Sequence, residues 1–372
     1  MATARTITRE LEEWAPLGWG EDWDNLGYIT GHPDASVKKV IIALDLTAGL
    51  VEAAEPGAMV ICHHPPALPR DFRTLRRDRP LGELLSGAIE KRLVVYAAHT
   101  NLDSAPGGTA DALAQRLGLV DVVPWETGKR DDYCKLVVFV PRGHEDHVRA
   151  ALSEAGAGWI GNYSHCTYQT RGQGTFMPRA GTDPFVGQEG VLEKVEEYRL
   201  ETIVPPGLIP GVLAALDAAH PYEEVAYDIY PLLNSGVPRA YGRRGRWPQA
   251  GTLKELAAHV ASALEWKGLR VAGDFLARVE RIAVAPGSGG GQVGAALHSG
   301  AQVLVTGDIG YHQVQGAVAQ GLFVIDAGHQ ATEGPVLDAI ADWLVRVMPD
   351  LDWEIWHEPP LLHSWPPQPA GG

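Results

Sequence analysis

The sequence predicts an α/β fold in which a mostly parallel sheet, built from two separated halves of the chain, is interrupted by a ferredoxin-like α+β insertion. Three observations support this prediction. Short apolar runs alternate with helical patterns over the first 120 residues, the same alternation returns after about residue 250, and the segment between them has a different order of elements. Strands that alternate with helices along a chain are typical of parallel sheets.

The first half of the chain contains apolar runs of strand length, each followed by a pattern of helical period. The predicted strands are residues 40–44, 58–62 and 93–98, and the predicted helices are residues 48–55, 81–92 and 109–117. Gly118 can end the last of these helices because glycine readily adopts the left-handed conformation found after helix ends. We therefore expect βα units here.

The middle of the chain predicts a module that folds on its own. Its expected elements, in order, are strand 134–140, helix 147–155, two strands around Gly172, strand 195–204, helix 209–218 and strand 225–230. This order is close to βαββαβ, the ferredoxin-like arrangement. Residues 127–132 are polar and residues 234–247 are rich in Gly, Pro and Arg, which is typical of junctions.

The second half repeats the α/β alternation. Its predicted elements are helix 253–264, strand 279–285, helix 292–298, strands 303–306 and 322–326, and helix 336–347, which ends before Pro349. We therefore expect a discontinuous outer domain of residues 1–130 and 245–350, an insertion at residues 131–235, and an irregular proline-rich tail at residues 351–372.

Composition narrows the classes of function. The chain has 372 residues and a formal net charge of −15, with 31 Lys and Arg against 46 Asp and Glu. Binding a phosphate backbone requires clustered Lys and Arg residues, so the excess of acidic residues argues against nucleic acid as a partner. The sequence begins without an apolar signal region, has no run of 18 apolar residues, and has three cysteines without a CxxC pair. These features favour a cytoplasmic protein without membrane spans, disulfides or a cysteine zinc site.

Histidines and carboxylates follow four of the predicted strands, at the sheet edge where ligands bind in α/β proteins. They are His63 and His64, His99 and Asp103, Asp308 and His312, and His329 and Glu333. Each pair alone is more typical of a surface turn, but so many at equivalent strand ends indicate one constellation. Imidazole and carboxylate ligands suit zinc, manganese, iron or nickel, and two adjacent ions are a reasonable expectation.

A glycine-rich segment, Ala285-Pro-Gly-Ser-Gly-Gly-Gly291, lies between a predicted strand and a predicted helix. Backbone N–H groups at such a place can hold phosphate, but the segment lacks the lysine and the spacing of the known nucleotide motifs. A tight turn is at least as good an interpretation.

Taken together, these motifs resemble the GTP cyclohydrolase 1 type 2 family, also called the NGG1p-interacting factor 3-like (NIF3-like) family, over nearly the whole chain to about residue 347. The matching strings are Trp23-Asp-Asn-Leu-Gly27, Ala43-Leu-Asp-Leu-Thr47, His63-His-Pro65, His99-Thr-Asn-Leu-Asp103, Thr306-Gly-Asp-Ile-Gly-Tyr-His312 and Asp326-Ala-Gly-His-Gln-Ala-Thr-Glu333. The insertion looks like the PII- or CutA-like module of longer members. Gln330 stands where the family usually has an aromatic residue, and Gly310 where a basic residue is common.

The resemblance implies a NIF3-like outer domain, toroidal homohexamers and a centre of two divalent metal ions. It implies that one ion binds His64 and Asp103, that the other binds His63 and His329, and that Glu333 bridges them. His99 and His312, left free of metal, are then the candidates for moving protons.

The function implied is that of a metal-dependent hydrolase that uses activated water on a nucleotide or another phosphorylated small molecule, with GTP ring opening as the activity in the family name. Two ions against one Asp and one Glu would leave a local positive excess that attracts an anionic substrate. The alternative is a non-catalytic, metal-binding hexamer that senses ligands or regulates.

Overall fold

The computed structural model describes residues 2–68, 73–125, 132–234, 236 and 240–359. The chain forms two compact units, one of residues 1–128 and 239–372 and the other of residues 129–238. Much of the predicted junctions, and the predicted tail from residue 360 onward, lies outside the described residues. None of the described helices has the length and apolarity needed to cross a bilayer.

Helices and strands alternate through most of the described chain. The strands are β1 (Gly27–Thr30), β2 (Lys39–Ala43), β3 (Met59–Cys62), β4 (Val94–Ala97), β5 (Val120–Pro124), β6 (Cys134–Pro141), β7 (Thr167–Phe176), β8 (Glu193–Val204), β9 (Tyr227–Pro231), β10 (Arg243–Thr252), β11 (Arg270–Ala272), β12 (Arg278–Ser288), β13 (Val303–Gly307), β14 (Phe323–Asp326) and β15 (Asp352–Ile355). The helices are α1 (Ala4–Trp14), α2 (Ala48–Ala53), α3 (Pro80–Glu90), α4 (Thr100–Ser104), α5 (Thr109–Arg116), α6 (Glu145–Glu154), α7 (Ile209–Ala219), α8 (Leu253–Ala263), α9 (Val293–His298), α10 (Tyr311–Ala319), α11 (His329–Glu333) and α12 (Pro335–Val347).

The first unit contains two sheets. One has the strand order β1-β4-β3-β2-β15, in which every neighbouring pair except β1 with β4 is parallel. Its strands bury side chains on both faces, as expected of a parallel sheet between helices. Ile7 and Ile340, from α1 and α12, belong to the core on one face, and Leu50 and Ala88, from α2 and α3, to the core on the other.

The second sheet has the order β11-β14-β13-β12-β10-β5. Its central strands β12, β13 and β14 are parallel, whereas β11, β10 and β5 pair antiparallel. Leu113 and Val260, from α5 and α8, share one core with this sheet, and Ala296 and Ala317, from α9 and α10, share another. The carboxyl ends of β3, β4, β13 and β14 lead into the loops that carry the predicted site.

The second unit is ferredoxin-like. Its order along the chain is βαββαβ, its four strands pair antiparallel in the order β7-β8-β6-β9, and α6 and α7 contribute Val148, Leu152, Val212 and Leu216 to its core. The predicted pair of strands around Gly172 is wrong. β7 is instead one continuous strand, because all ten of its residues, Gly172 included, pair with β8.

The fold class predicted from the sequence is confirmed, and two segments are corrected. Residues 243–247, taken as part of an aperiodic junction, begin β10, where the guanidinium of Arg243 is buried against Asp111 and breaks the apolar alternation that signals a strand. Residues 352–355, taken as part of an irregular tail, form β15, which extends the first sheet beside β2.

Candidate metal centre

The predicted site residues of the first sheet lie directly beyond β3 and β4. The backbone N–H groups of His63 and His64 donate to the carbonyls of Ala43, the last residue of β2, and of Leu44, the residue after it, at 3.0 and 2.8 Å. His99 follows β4 as the N-cap of α4, and Asp103 lies within that helix. The rings of His63 and His64 are 5.0 Å apart, and each lies within 5.4 Å of the His99 ring.

The predicted residues of the second sheet lie on α11. Gly328 precedes this helix with φ of +80°, a conformation that favours glycine, and its N–H donates to Oδ1 of Asp326 at 3.0 Å. His329 and Glu333 are four residues apart, so their side chains share one face of the helix, and His329 Nε2 lies 3.1 Å from Glu333 Oε1. The Glu333 side chain is buried.

Glu333 brings the two sheets' residues together. Its Oε2 lies 2.9 Å from His64 Nε2, outside hydrogen-bond geometry, and its Oε1 lies 4.0 Å from His63 Nε2. Asp103 Oδ1 is 3.4 Å from His63 Nε2. Glu333 therefore lies within 3.1 Å of both His64 and His329, and Asp103 lies beside His63. The division of these ligands between two ions stays a prediction.

The four histidines are held in the same way. In each, Nδ1 donates to an oxygen atom and Nε2 is left for the centre: His63 to the Ala98 carbonyl (2.9 Å), His64 to Asp45 (3.0 Å), His99 to Asp24 (2.9 Å) and His329 to Asp308 (3.0 Å). A histidine that binds a metal through one ring nitrogen usually donates the N–H of its other ring nitrogen to an oxygen atom. This hydrogen bond fixes the tautomer and the orientation of the ring. Sequence reasoning missed Asp24 and Asp45, and noted Asp308 only as a strand-end carboxylate.

These contacts shift the acidities of the centre. Burial lowers the pKa of His63, which favours the neutral imidazole. Burial would also lower the pKa of His64, but Asp45 and Glu333 outweigh it and raise that pKa to about 10. For Glu333, burial would raise the pKa, yet the imidazoles of His329 and His64 hold it below its usual range.

The residues fit a metal centre. Three buried atoms, His63 Nε2, His64 Nε2 and Glu333 Oε2, have no hydrogen-bond partner among the described residues, although unpaired buried polar atoms are costly. Donor atoms of His64, His329 and Glu333 lie within 4.8 Å of one another, as do those of His63, His64 and His99. His99, predicted to stay free of metal, is thus also within reach of an ion.

Gly287, at the end of β12, borders this centre. A Cβ atom there would lie 2.1 Å from Glu333 Oε1 and 3.3 Å from His329 Nε2, and the residue has φ of +63°. Its N–H donates to Thr332 Oγ1 at 3.0 Å. The glycine-rich segment that begins at Ala285 continues into a 3-10 turn, Gly289–Gln292. The segment therefore forms a turn.

His312 lies apart from the other predicted residues. It is an exposed residue of α10, and its ring contacts that of Tyr311 at 5.3 Å. It belongs neither to the groups of donor atoms described above nor to the wall of the cavity beside His64 and His329. That cavity has a volume of about 710 Å³ and exposes one side of the centre.

A family model described as Duf34/NIF3 (NGG1p interacting factor 3) matches residues 2–358. The chain belongs to the Duf34/NIF3 family. A Duf34/NIF3 relative from Halalkalibacterium halodurans is 40% identical over 355 residues, 95% of each chain, and one from Bacillus subtilis is 39% identical over 327 residues, 87% of each chain. Both are named "GTP cyclohydrolase 1 type 2 homolog". A Bacillus cereus structure described as a protein related to NIF3 is 37% identical, with a TM-score of 0.77 over 98% of this chain and 99% of that one.

Proposed function

We propose that this protein is a metal-dependent hydrolase with two divalent cations held by five side chains. They are His63, His64, Asp103, His329 and Glu333. The observation that carries the proposal is the common arrangement of His63, His64 and His329. In each, Nδ1 is hydrogen-bonded to an oxygen atom, and Nε2 lies within 4.0 Å of the buried Glu333 carboxylate. Cations bound there would supply Lewis acidity and lower the pKa of a water molecule toward neutrality.

The chain's own residues provide proton transfer at His99. Its Nδ1 donates to Asp24 Oδ2, which also accepts from the Thr100 backbone N–H at 3.2 Å and from Thr100 Oγ1 at 2.6 Å. Although burial opposes it, these donors lower the pKa of Asp24 to about 2, so the carboxylate stays ionised and orients the ring. His99 Nε2 is then the atom that accepts or releases a proton. The exposed His312 contributes to the reaction only if a substrate reaches it.

The name of the relatives, GTP cyclohydrolase 1 type 2 homolog, makes GTP the first substrate to test, with release of formate as the readout. The toroidal homohexamer implied by the family resemblance is part of the proposal, and a mass of six chains by light scattering would support it.

The test begins with metal analysis of the purified full-length protein. Loaded protein is then incubated with GTP, with guanosine and with a panel of metabolites with and without phosphate groups, while formate and phosphate are measured. We expect turnover that disappears in His329→Ala and Glu333→Ala but persists in His298→Ala, which removes an exposed histidine at the end of α9. Full metal occupancy with no turnover on the panel would reject the hydrolase in favour of a non-catalytic sensor.

A further inference from the structure

The cavity beside the metal centre has the properties of a binding site for a small molecule. Its volume of about 710 Å³ lies within the range typical of ligand pockets. His64, His329 and Asp308 form part of its wall, so a molecule inside it would lie next to the metal ligands.

Much of the remaining wall is apolar and aromatic. Trp266 and Trp356 contribute indole rings, and Leu44, Leu264 and Leu337 contribute aliphatic side chains. The indole N–H groups of both tryptophans are buried and have no hydrogen-bond partner within the described part of the chain. Such a wall suits a planar, largely apolar body.

The C-terminal part of this wall is fixed in place. The backbone N–H of Trp356 donates to the Ile42 carbonyl at 2.8 Å, which continues the pairing of β15 with β2. Thr47 Oγ1 donates to Glu358 Oε1 at 2.8 Å, and Gln330 Nε2 donates to the Glu358 carbonyl at 3.0 Å. The cavity is therefore preformed, and Gln330 serves to anchor the segment that carries Trp356.

The charge of the wall is strongly negative. Among the residues that the structure describes, its carboxylates are Asp45, Glu265, Asp308, Asp338 and Glu358, and its one guanidinium is that of Arg116. That guanidinium is already paired with Asp338. Including Asp103 and Glu333, seven carboxylates stand against one arginine among the described residues, and two divalent ions would still leave an excess of two negative charges. The positive excess expected from the sequence counted the metal ligands alone, without the carboxylates of the cavity wall.

We propose that this cavity binds a neutral or positively charged molecule with a planar, aromatic body, and that it discriminates against anionic ligands of the same shape. Aromatic faces and carboxylates together attract cations, and a phosphate chain would meet carboxylates without a free arginine or lysine among the described wall residues. Calling this ligand the substrate rests on the proposed hydrolase function, and it replaces the anionic substrate expected from the sequence.

The experiment measures binding to the Mn²⁺-loaded, full-length protein by isothermal titration calorimetry with two matched pairs of probes. Tryptamine and indole-3-acetate share an indole body with opposite charges, and guanosine and guanosine monophosphate differ by one phosphate. We expect tryptamine to bind at least about tenfold more tightly than indole-3-acetate, and guanosine more tightly than its monophosphate. Tighter binding of the anionic member of either pair, or no binding of tryptamine and guanosine at millimolar concentration, would overturn the proposal.

Two variants locate the effect, each with a matched control. Glu265→Gln should reduce the preference for tryptamine over indole-3-acetate by about threefold, whereas Glu13→Gln, on the exposed side of α1, should leave it unchanged. Trp356→Leu should weaken all four probes by about tenfold, whereas Trp353→Leu, three residues earlier and outside the cavity wall, should not. Equal effects in variant and control would reject this location.

Binding and turnover fail independently in these measurements. An inactive protein that keeps the predicted order of affinities would reject the hydrolase alone. A protein that hydrolyses GTP but binds the anionic probes more tightly would reject the ligand class alone.

Discussion

Replacing Gly287 by alanine would place a methyl group against the Glu333 carboxylate of the candidate metal centre. The added Cβ would lie 2.1 Å from Glu333 Oε1, whereas real Cβ contacts stay beyond 3.0 Å, so the carboxylate must move by about 0.9 Å. Metal ligands tolerate distance errors of about 0.2 Å. We therefore expect metal affinity to fall by about 100-fold, equivalent to about 2.7 kcal/mol.

Gly300→Ala is the matched control for this substitution. Gly300 has φ of +75°, close to the +63° of Gly287, but a Cβ there meets nothing within 4 Å. Both variants should lose about 1 kcal/mol of unfolding free energy from left-handed backbone strain, and only Gly287→Ala should lose metal. Calorimetric titration with Zn²⁺ and metal analysis measure the difference. Equal metal affinity in the two variants would show that Gly287 does not shape the centre.

Three further predictions follow from buried polar contacts. The pKa of Asp24 is lowered from 3.8 to about 2, so its contribution of about 2 kcal/mol to the free energy of unfolding is complete above pH 4 and lost as the pH falls toward 2. Asp24→Asn should therefore make the free energy of unfolding less dependent on pH in the acid range. An unchanged dependence would contradict this. Because the pKa of His64 is raised to about 10 in the metal-free protein, metal binding at pH 8 should release about one proton, seen as a buffer-dependent enthalpy that His64→Ala removes. Arg243 is buried and donates to both oxygens of Asp111 at 2.8 Å, so Arg243→Ala should cost about 3 kcal/mol in urea unfolding, whereas the exposed Arg246→Ala should cost under about 0.5 kcal/mol. A similar cost for both arginines would show that burial of the pair does not matter.

Much of the candidate site could be predicted from sequence because sheet geometry is regular. Because parallel strands end at a common edge of the sheet, the histidines directly after β3 and β4 can be expected to lie close together, even when the conformation of the loops is not known. The spacing of His329 and Glu333 likewise places both side chains on one helical face. His312 shows the limit of this reasoning, since it also follows a strand yet lies on the exposed surface of α10.

The partners of the histidines could not be predicted in the same way. Asp24 and His99 are 75 residues apart, and Asp45 and His64 are 19 apart. Such hydrogen bonds require the loops to place the two atoms to within a fraction of an ångström, and no residue pattern encodes the path of a loop.

By itself, the sequence determined the alternation of helices and strands in both halves, the ferredoxin-like insertion and the set of histidines and carboxylates at the strand ends, because helical and strand periodicities are local properties of the chain. Only the tertiary structure decided what surrounds them: the oxygen atom behind each imidazole, the glycine against Glu333, and the acidic, aromatic cavity beside the centre. Those features arise where segments distant in the chain pack together, and their distances are set by the whole fold.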